Sequence, residues 1–161
     1  MKKLITSFLI SFVIVSFSSS NLFAAEDGNE KKEAIKIGVA ASVQGTVRVT
    51  GKNRGIVKSG MELFLNDRVI TGNNGSLQVL LLDETVFTLG PNSDMVLDEF
   101  VYDPGTSSGK VSAKIVKGVF RFITGKIATK NPSNMNVKIQ AGNIGIRGTL
   151  SQDALVLTAL P

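Results

Sequence analysis

The chain reads as an all-β protein, an antiparallel-rich roll or sandwich of many short strands, preceded by the apolar helix of a signal peptide. Three observations predict this. Apolar residues after Ile37 recur at every second position, the runs are short and are broken by Gly, Asn, Asp or Pro, and no window of a dozen residues after Lys36 carries a 3.6-residue stripe. A period of two puts alternate side chains on one face of a strand, so the pattern asks for sheets with one packed face and little helix.

In chain order, Lys2 and Lys3 precede an apolar run from Leu4 to Phe17, a polar stretch Ser18 to Asn21, and Ala24-Ala25, the layout of a secretory signal. The run is 14 residues long and interrupted by Ser7, Ser11 and Ser16, whereas a spanning helix needs about 20 predominantly apolar residues. Cleavage, giving a mature chain that starts at Ala25 or Glu26, is therefore the expectation, with an uncleaved anchor as the alternative. Residues 1–25 are assigned to this signal, 26–36 to a charged, aperiodic lead, and 37–161 to one β domain. The chain has no Cys, which rules out lipid attachment through an N-terminal Cys and means that an exported domain must hold itself together by packing and β-ladders alone.

Within the domain, Val43, Gly45, Val47 and Val49 alternate with Gln44, Thr46, Arg48 and Thr50, which predicts one strand with a wet face. Val137, Ile139 and Ala141 alternate with Asn136, Lys138 and Gln140 in the same way. Ser76 to Leu82 and Val119 to Ile123 are apolar on both faces, which predicts central strands covered on two sides. Turn chemistry separates the runs at Gly51-Lys52-Asn53, Asn66-Asp67, Gly72 to Gly75, Gly90-Pro91-Asn92, Asp103-Pro104-Gly105 and Asn131-Pro132. Arg-x-Ile-Thr-Gly occurs twice, at Arg68–Gly72 and Arg121–Gly125, which marks either two similar β-layers or a shared strand-to-turn grammar. The apolar tail Ala154 to Leu160 is expected to form a final strand inside the domain, since an unguarded run of this kind would otherwise be an exposed edge.

The chemistry available is narrow. With neither His nor Cys in the chain, the usual zinc sites, Ser-His-Asp triads and Cys-His pairs cannot be built. Ser107 and Lys110 have Ser-x-x-Lys spacing but sit in a Gly/Ser/Thr-rich loop after Pro104, not at a helix start. Asp83-Glu84 and Asp98-Glu99 are the available carboxylate pairs for glycoside chemistry. Neighbours on a strand point to opposite faces, so only a cross-strand convergence such as Asp83 with Asp98 could serve. Asp94, Asp98 and Asp103, with Asn92, offer oxygens to calcium without the spacing of a dense acidic loop. Gly142 to Gly148 is Gly-rich but lacks the phosphate-binding spacing, and reads as a place where a strand bends or approaches another backbone. No enzyme activity, no metal and no cofactor are expected.

Charge is unevenly spread. After loss of Lys2 and Lys3 the chain carries 16 basic and 13 acidic residues, a balance too even to name a partner. Yet Asp83 to Asp103 holds six acidic residues and no basic one, while Lys110 to Arg147 holds eight basic residues and no acidic one. Opposite charges on facing strands help set pairing, so the two segments are expected to lie against each other. The basic residues Lys110, Lys114, Lys117, Arg121, Lys126, Lys130 and Lys138 form the candidate interaction surface, facing either that acidic segment or an envelope protein or anionic envelope component. Nucleic acid is not an expected partner, because export puts the chain in the wrong compartment and Phe120 and Phe122 share one core-facing strand face.

An ordered series of segments resembles the FecR family. It runs from Gly45-Thr46-Val47-Arg48-Val49 through Leu65–Gly72, Gly75–Val79, Leu82–Thr85 and Leu89–Ser93 to Gly118–Gly125, and ends at Ile144–Thr149. The likeness covers about Gly38 to Thr149. It implies an all-β periplasmic or secreted domain acting in signal relay or envelope interaction, with no catalytic residues to carry over. It also implies departures: Asp83-Glu84-Thr85 stands where the family usually has Asp-Gly-Ser, so a different turn is expected there. No anti-sigma segment precedes the Lys2-Lys3 run, and the chain stops twelve residues after Thr149, as in a short form. The function expected is a non-enzymatic module for binding or signal relay in the bacterial cell envelope. The alternative is a structural envelope or secretion-apparatus subunit associating through strand edges.

Overall fold

Alternation of apolar and polar residues does what it should: along most strands, buried and exposed positions alternate one by one. The computed structural model describes residues 34–140 and, as backbone, 142–145 and 155–159. The strands are β1 Lys36–Gln44, β2 Val47–Thr50, β3 Gly55–Ile56, β4 Glu62–Phe64, β5 Arg68–Thr71 and β6 Ser76–Leu81. They continue with β7 Val86–Leu89, β8 Asp94–Asp103, β9 Ser108–Ile123, β10 Met135–Ile139, β11 Gly142–Gly145 and β12 Leu155–Ala159. Helix α1, Lys126–Lys130, and a 3-10 turn at Pro132–Asn134 are the helical pieces among the described residues. The segment expected to be a signal peptide and most of the expected lead, residues 1–33, lie outside them.

The strands form one sheet that curls into two leaves, ordered β3-β2-β5-β8-β9-β7-β6-β1-β4. Pairing is antiparallel except where β10 runs parallel to β9. The 16-residue β9 belongs to both leaves. Its first half lies between β8 and β10, and its second half between β7 and β12. The first leaf is thus β4-β1-β6-β7 with the end of β9 and β12, and the second is β3-β2-β5-β8 with the start of β9, β10 and β11. Strands β1 and β2, β5 and β6, and β7 and β8 follow one another in the chain but fall in different leaves.

All these crossings meet along one seam. The run Val43 to Val49, expected as one strand, breaks at Gly45, whose φ is 61°; β1 ends at Gln44 and β2 starts at Val47. At Gly118, φ 105°, β9 itself changes leaf. Hydrogen bonds stitch the seam: Gly72 N–H to the Thr46 carbonyl at 2.8 Å, Thr71 N–H to the Ser93 carbonyl at 2.9 Å and Gly90 N–H to the Val119 carbonyl at 2.8 Å. Buried Ser93 completes it, its Oγ donating to the Val119 carbonyl at 3.0 Å and accepting the Val119 N–H at 3.1 Å. A side-chain hydroxyl thus supplies the partner that the interrupted ladder lacks.

One hydrophobic core fills the space between the leaves. Phe87, Phe120, Phe122, Leu77 and Leu89 come from the first leaf, and Val47, Met95, Ala113, Ile115 and Val137 from the second. Phe87 and Phe122 are register partners with ring centroids 5.9 Å apart, a cross-strand aromatic contact that contributes about 0.2–1 kcal/mol relative to an Ala–Ala pair.

Strands β6 and β9 are central, but they are not covered on both sides as their composition suggested. Leu80, Leu82, Val119 and Ile123 are 38, 49, 40 and 41 % exposed, because the core lies on one side of the curl only. The expected contact of acidic and basic segments is present: β8 pairs with β9 from Asp94↔Lys117 to Asp103↔Ser108, and β7 pairs with the end of β9. The tail strand is present as well, β12 running antiparallel to β9 from Leu155↔Phe122 to Ala159↔Gly118.

Candidate functional site

The ends of the leaves remote from the seam form a mouth, and α1 sits in it. On the first leaf the mouth is edged by the turn Asp83-Glu84-Thr85. The fully buried Asp83 carboxylate accepts the Thr85 N–H at 3.1 Å and the Thr85 hydroxyl at 2.8 Å. Thr85 Oγ1 in turn accepts the Gly125 N–H at 3.1 Å, and the Asp83 carbonyl accepts the Lys126 N–H at 2.7 Å. Gly125 is pressed against this turn so closely that a Cβ there would lie 2.3 Å from the Asp83 carbonyl oxygen. The turn therefore fixes where α1 begins.

Glu84 has φ 71°, so this chain keeps a left-handed residue in the turn, against the expectation that Glu would change its type. Glu costs more than Gly in that region, and its side chain reaches Lys126 in a salt bridge. That contact raises the Lys126 pKa, first through the hydrogen bond and then through the Glu84 charge.

On the second leaf the mouth is edged by the β8–β9 turn. The Asp103 carboxylate accepts the Thr106 hydroxyl at 2.6 Å and the Gly105 N–H at 3.0 Å, which hold its pKa below the ordinary value. Ser107 has φ 54°. Lys130, at the other end of α1, donates to the Thr106 carbonyl and to Ser108 Oγ. Ile127 and Ala128, 1 and 3 % exposed, plug the core between the two edges. An open cleft of about 340 Å³ remains on the outside of α1, lined by Glu84, Ser107, Thr124, Lys126, Thr129 and Lys130.

The other residues singled out in the sequence serve elsewhere. Lys110 pairs with Glu99 at 3.0 Å, on an outward face away from Ser107, and Lys138 pairs with Asp98 at 2.8 Å. Asp98 occupies a β-bulge of β8. Burial pushes its carboxyl up, but the Lys138 hydrogen bond and charge outweigh that and leave the pKa low. Asp94 is held bidentately by Arg68, at 2.8 Å through Nε. Asp83, Asp94, Asp98 and Asp103 thus each have their own separate partners, and the described residues contain no cluster of three or more potential metal-ligating side chains.

Of the seven basic residues, Lys110, Lys126 and Lys138 meet acidic residues of the 83–103 segment and Lys130 joins the mouth. Lys114, Lys117 and Arg121 are exposed on β9, with no ion pair among the described residues. The seven do not form one patch. Lys126 and Lys130 share the cleft, while Lys114 and Lys138 are register neighbours on the second leaf. Thr124 and Thr129 were not singled out, and the convergence of Glu84 and Ser107 with them in one cleft was not foreseen, since nothing in the spacing of residues 84, 107 and 124–130 brings them together.

Comparison with known proteins agrees with the ordered segments. The family model described as FecR protein matches residues 67–155, from the last residue before β5 to the first residue of β12. Its start is later, and its end further on, than the likeness read from the segments, which began near Gly38. No curated protein and no solved structure matches the chain. A family match spanning more than half the sequence, on an all-β fold of the expected kind, means that this chain belongs to the FecR family.

Proposed function

We propose that the protein is a non-enzymatic binding or signal-relay module of the bacterial cell envelope, exported by its N-terminal signal and working through protein contact. The observation that carries this reading is a row on the outward face of the first leaf. Val39, Leu80, Val86 and Ile123 are successive register partners on β1, β6, β7 and β9, and Leu82 continues the same face. Singly exposed apolar residues are ordinary, but a contiguous group marks an interaction surface. Family membership and the basic-apolar-polar layout of residues 2–25 support the same reading.

Site-specific photo-crosslinking at Leu82 in intact cells should trap one envelope protein, and a crosslinker at the isolated, 64 % exposed Val101 should not. Leu80→Asp with Ile123→Asp should leave the unfolding midpoint nearly unchanged and abolish the product. Equal crosslinking at both sites would remove the surface from the argument. Mass spectrometry should find a mature start at Ala25 or Glu26 in the osmotic-release fraction; an intact Met1 in the membrane fraction would make the segment an anchor. The purified mature protein should hydrolyse neither peptidoglycan, esters nor peptides. Activity lost in Ser107→Ala or Asp83→Asn would overturn the non-enzymatic assignment.

A second reading, a structural subunit joined through strand edges, is favoured by β11 and β12, each of which has one strand partner among the described residues. Open edges of this kind accept another strand. Concentration-dependent sedimentation of the wild type, abolished by a proline at an outward-facing β12 amide, would select this reading over relay.

A further inference from the structure

We propose that the cleft beside α1 binds an anionic phosphate group, with Lys130 as its main charge partner and the hydroxyls of Ser107 and Thr124 as its orienting donors. The proposal is independent of the apolar row on the first leaf and goes beyond it by giving the module a small-molecule site. The two lysines of α1 are four residues apart and both line the cleft, but their situations differ. Lys126 is matched by Glu84 at the rim. Lys130 is held only by neutral acceptors, the Thr106 carbonyl and Ser108 Oγ.

An ammonium has three N–H donors, so Lys130 keeps one donor for something else, and the Asp103 charge reaches it without a direct hydrogen bond. Asp103 of the β8–β9 turn accepts the Thr106 hydroxyl and Gly105 N–H, touches Lys130 through charge alone and does not line the cleft. Half-buried Ser107 and Thr124 add hydroxyl groups for which no hydrogen-bond partner stands among the described residues. Lysine binds phosphate as a point charge, and hydroxyls supply directed donors to the remaining oxygens. A neutral sugar would use the hydroxyls but leave Lys130 unanswered.

The position of the cleft gives binding a structural consequence. Ser107 and the contacts of Lys130 belong to the second leaf, while Thr124 follows the end of β9 in the first. A phosphate seated between them ties the two lips of the mouth across α1, and a ligand that binds only the folded form stabilises it by mass action.

Inorganic phosphate titrated into the purified domain at low ionic strength, followed by amide chemical shifts, should give saturable changes confined to residues 107–108 and 124–130 and a rise in thermal midpoint. A matched chloride titration should give neither. Lys130→Gln should weaken binding about tenfold, a loss of about 1.4 kcal/mol. Lys130→Arg should restore most of it, which separates charge from any damage to the turn, and Lys114→Gln should leave it intact. Phosphatidylglycerol vesicles distinguish the source: cosedimentation lost in Lys130→Gln assigns the site to a lipid headgroup, and saturation by free phosphate without cosedimentation assigns it to a soluble phosphate. Shifts that chloride reproduces, or that survive unchanged in Lys130→Gln, overturn the proposal.

Discussion

Gly118 sits where β9 exchanges one pair of neighbours for another, and the physics of the seam is concentrated in it. Its φ of 105° lies where side chains are strained, and a Cβ would come within 2.2 Å of Ser93 Oγ and 2.4 Å of Ser93 Cα. Backbone strain and overpacking therefore act together in Gly118→Ala, which should lose about 3 kcal/mol or more in a urea titration. Ser93→Ala makes no clash but strands the Val119 N–H, and should cost about 1–3 kcal/mol. If Gly118→Ala proved the milder of the two, the seam would be held by hydrogen bonding and not by close approach. Glu84 is the opposite case, a residue strained where Gly would rest. Glu84→Gly made in a Lys126→Gln background, where the exposed pair has already gone, should gain about 1 kcal/mol from relief of the left-handed conformation. No gain there would mean that the turn reshapes around Glu without cost.

At the level of elements, β12 supplies the second neighbour of the terminal half of β9, so its loss exposes a ladder that carries Phe120 and Phe122 at 1 and 2 % exposure. Deleting residues 154–161 should lower the denaturant midpoint with no change in sedimentation. An unchanged midpoint with lost self-association would show β12 to be an interaction strand. The sequence foretold this strand, the alternation that starts at Asn136, seen in β10 as far as Ile139, and each of the expected turns, because period-two patterning and turn residues are local signals. It misread Val43 to Val49 as one strand, because the alternation continues through Gly45 while the backbone turns there. The pattern records which side chains face the core, and both leaves share one core. It also misjudged the outer faces of β6 and β9, whose exposed Leu80, Leu82 and Ile123 look like core residues in sequence. Helix α1 is five residues long, too short to show a 3.6-residue period. The cleft it helps to form depends on three distant segments that only the curl brings together.

For the molecule as a whole, the segregation of charge along the chain was legible, and the sheet converts it into facing strands: Lys110 meets Glu99, Lys138 meets Asp98 and Lys126 meets Glu84. Exposed pairs of this kind contribute about 0–1 kcal/mol each, so their effect is best seen through pH. Asp98 and Asp103 have folded pKa values below the ordinary 3.8, and Glu62 lies below 4.5 beside Lys36. A group whose pKa is lowered by folding adds stability above its unfolded pKa, and that stability is lost as pH falls through the folded value. Lys126, raised above 10.5, behaves in the mirror sense: its contribution is whole below the unfolded value and is lost as pH rises through the folded one. With no His and no Cys in the chain, none of the side chains ordinarily titrates between pH 5 and 8. Urea titrations should therefore give a plateau, constant to about 0.5 kcal/mol from pH 5.5 to 8.5, that falls away below about pH 4. Asp98→Asn should lower the plateau slightly and make the acid fall shallower, because one of the carboxylates that gains a proton on unfolding has been removed. A transition centred near pH 6 in the wild type would contradict this assignment and point to a buried carboxylate forced to ionise late.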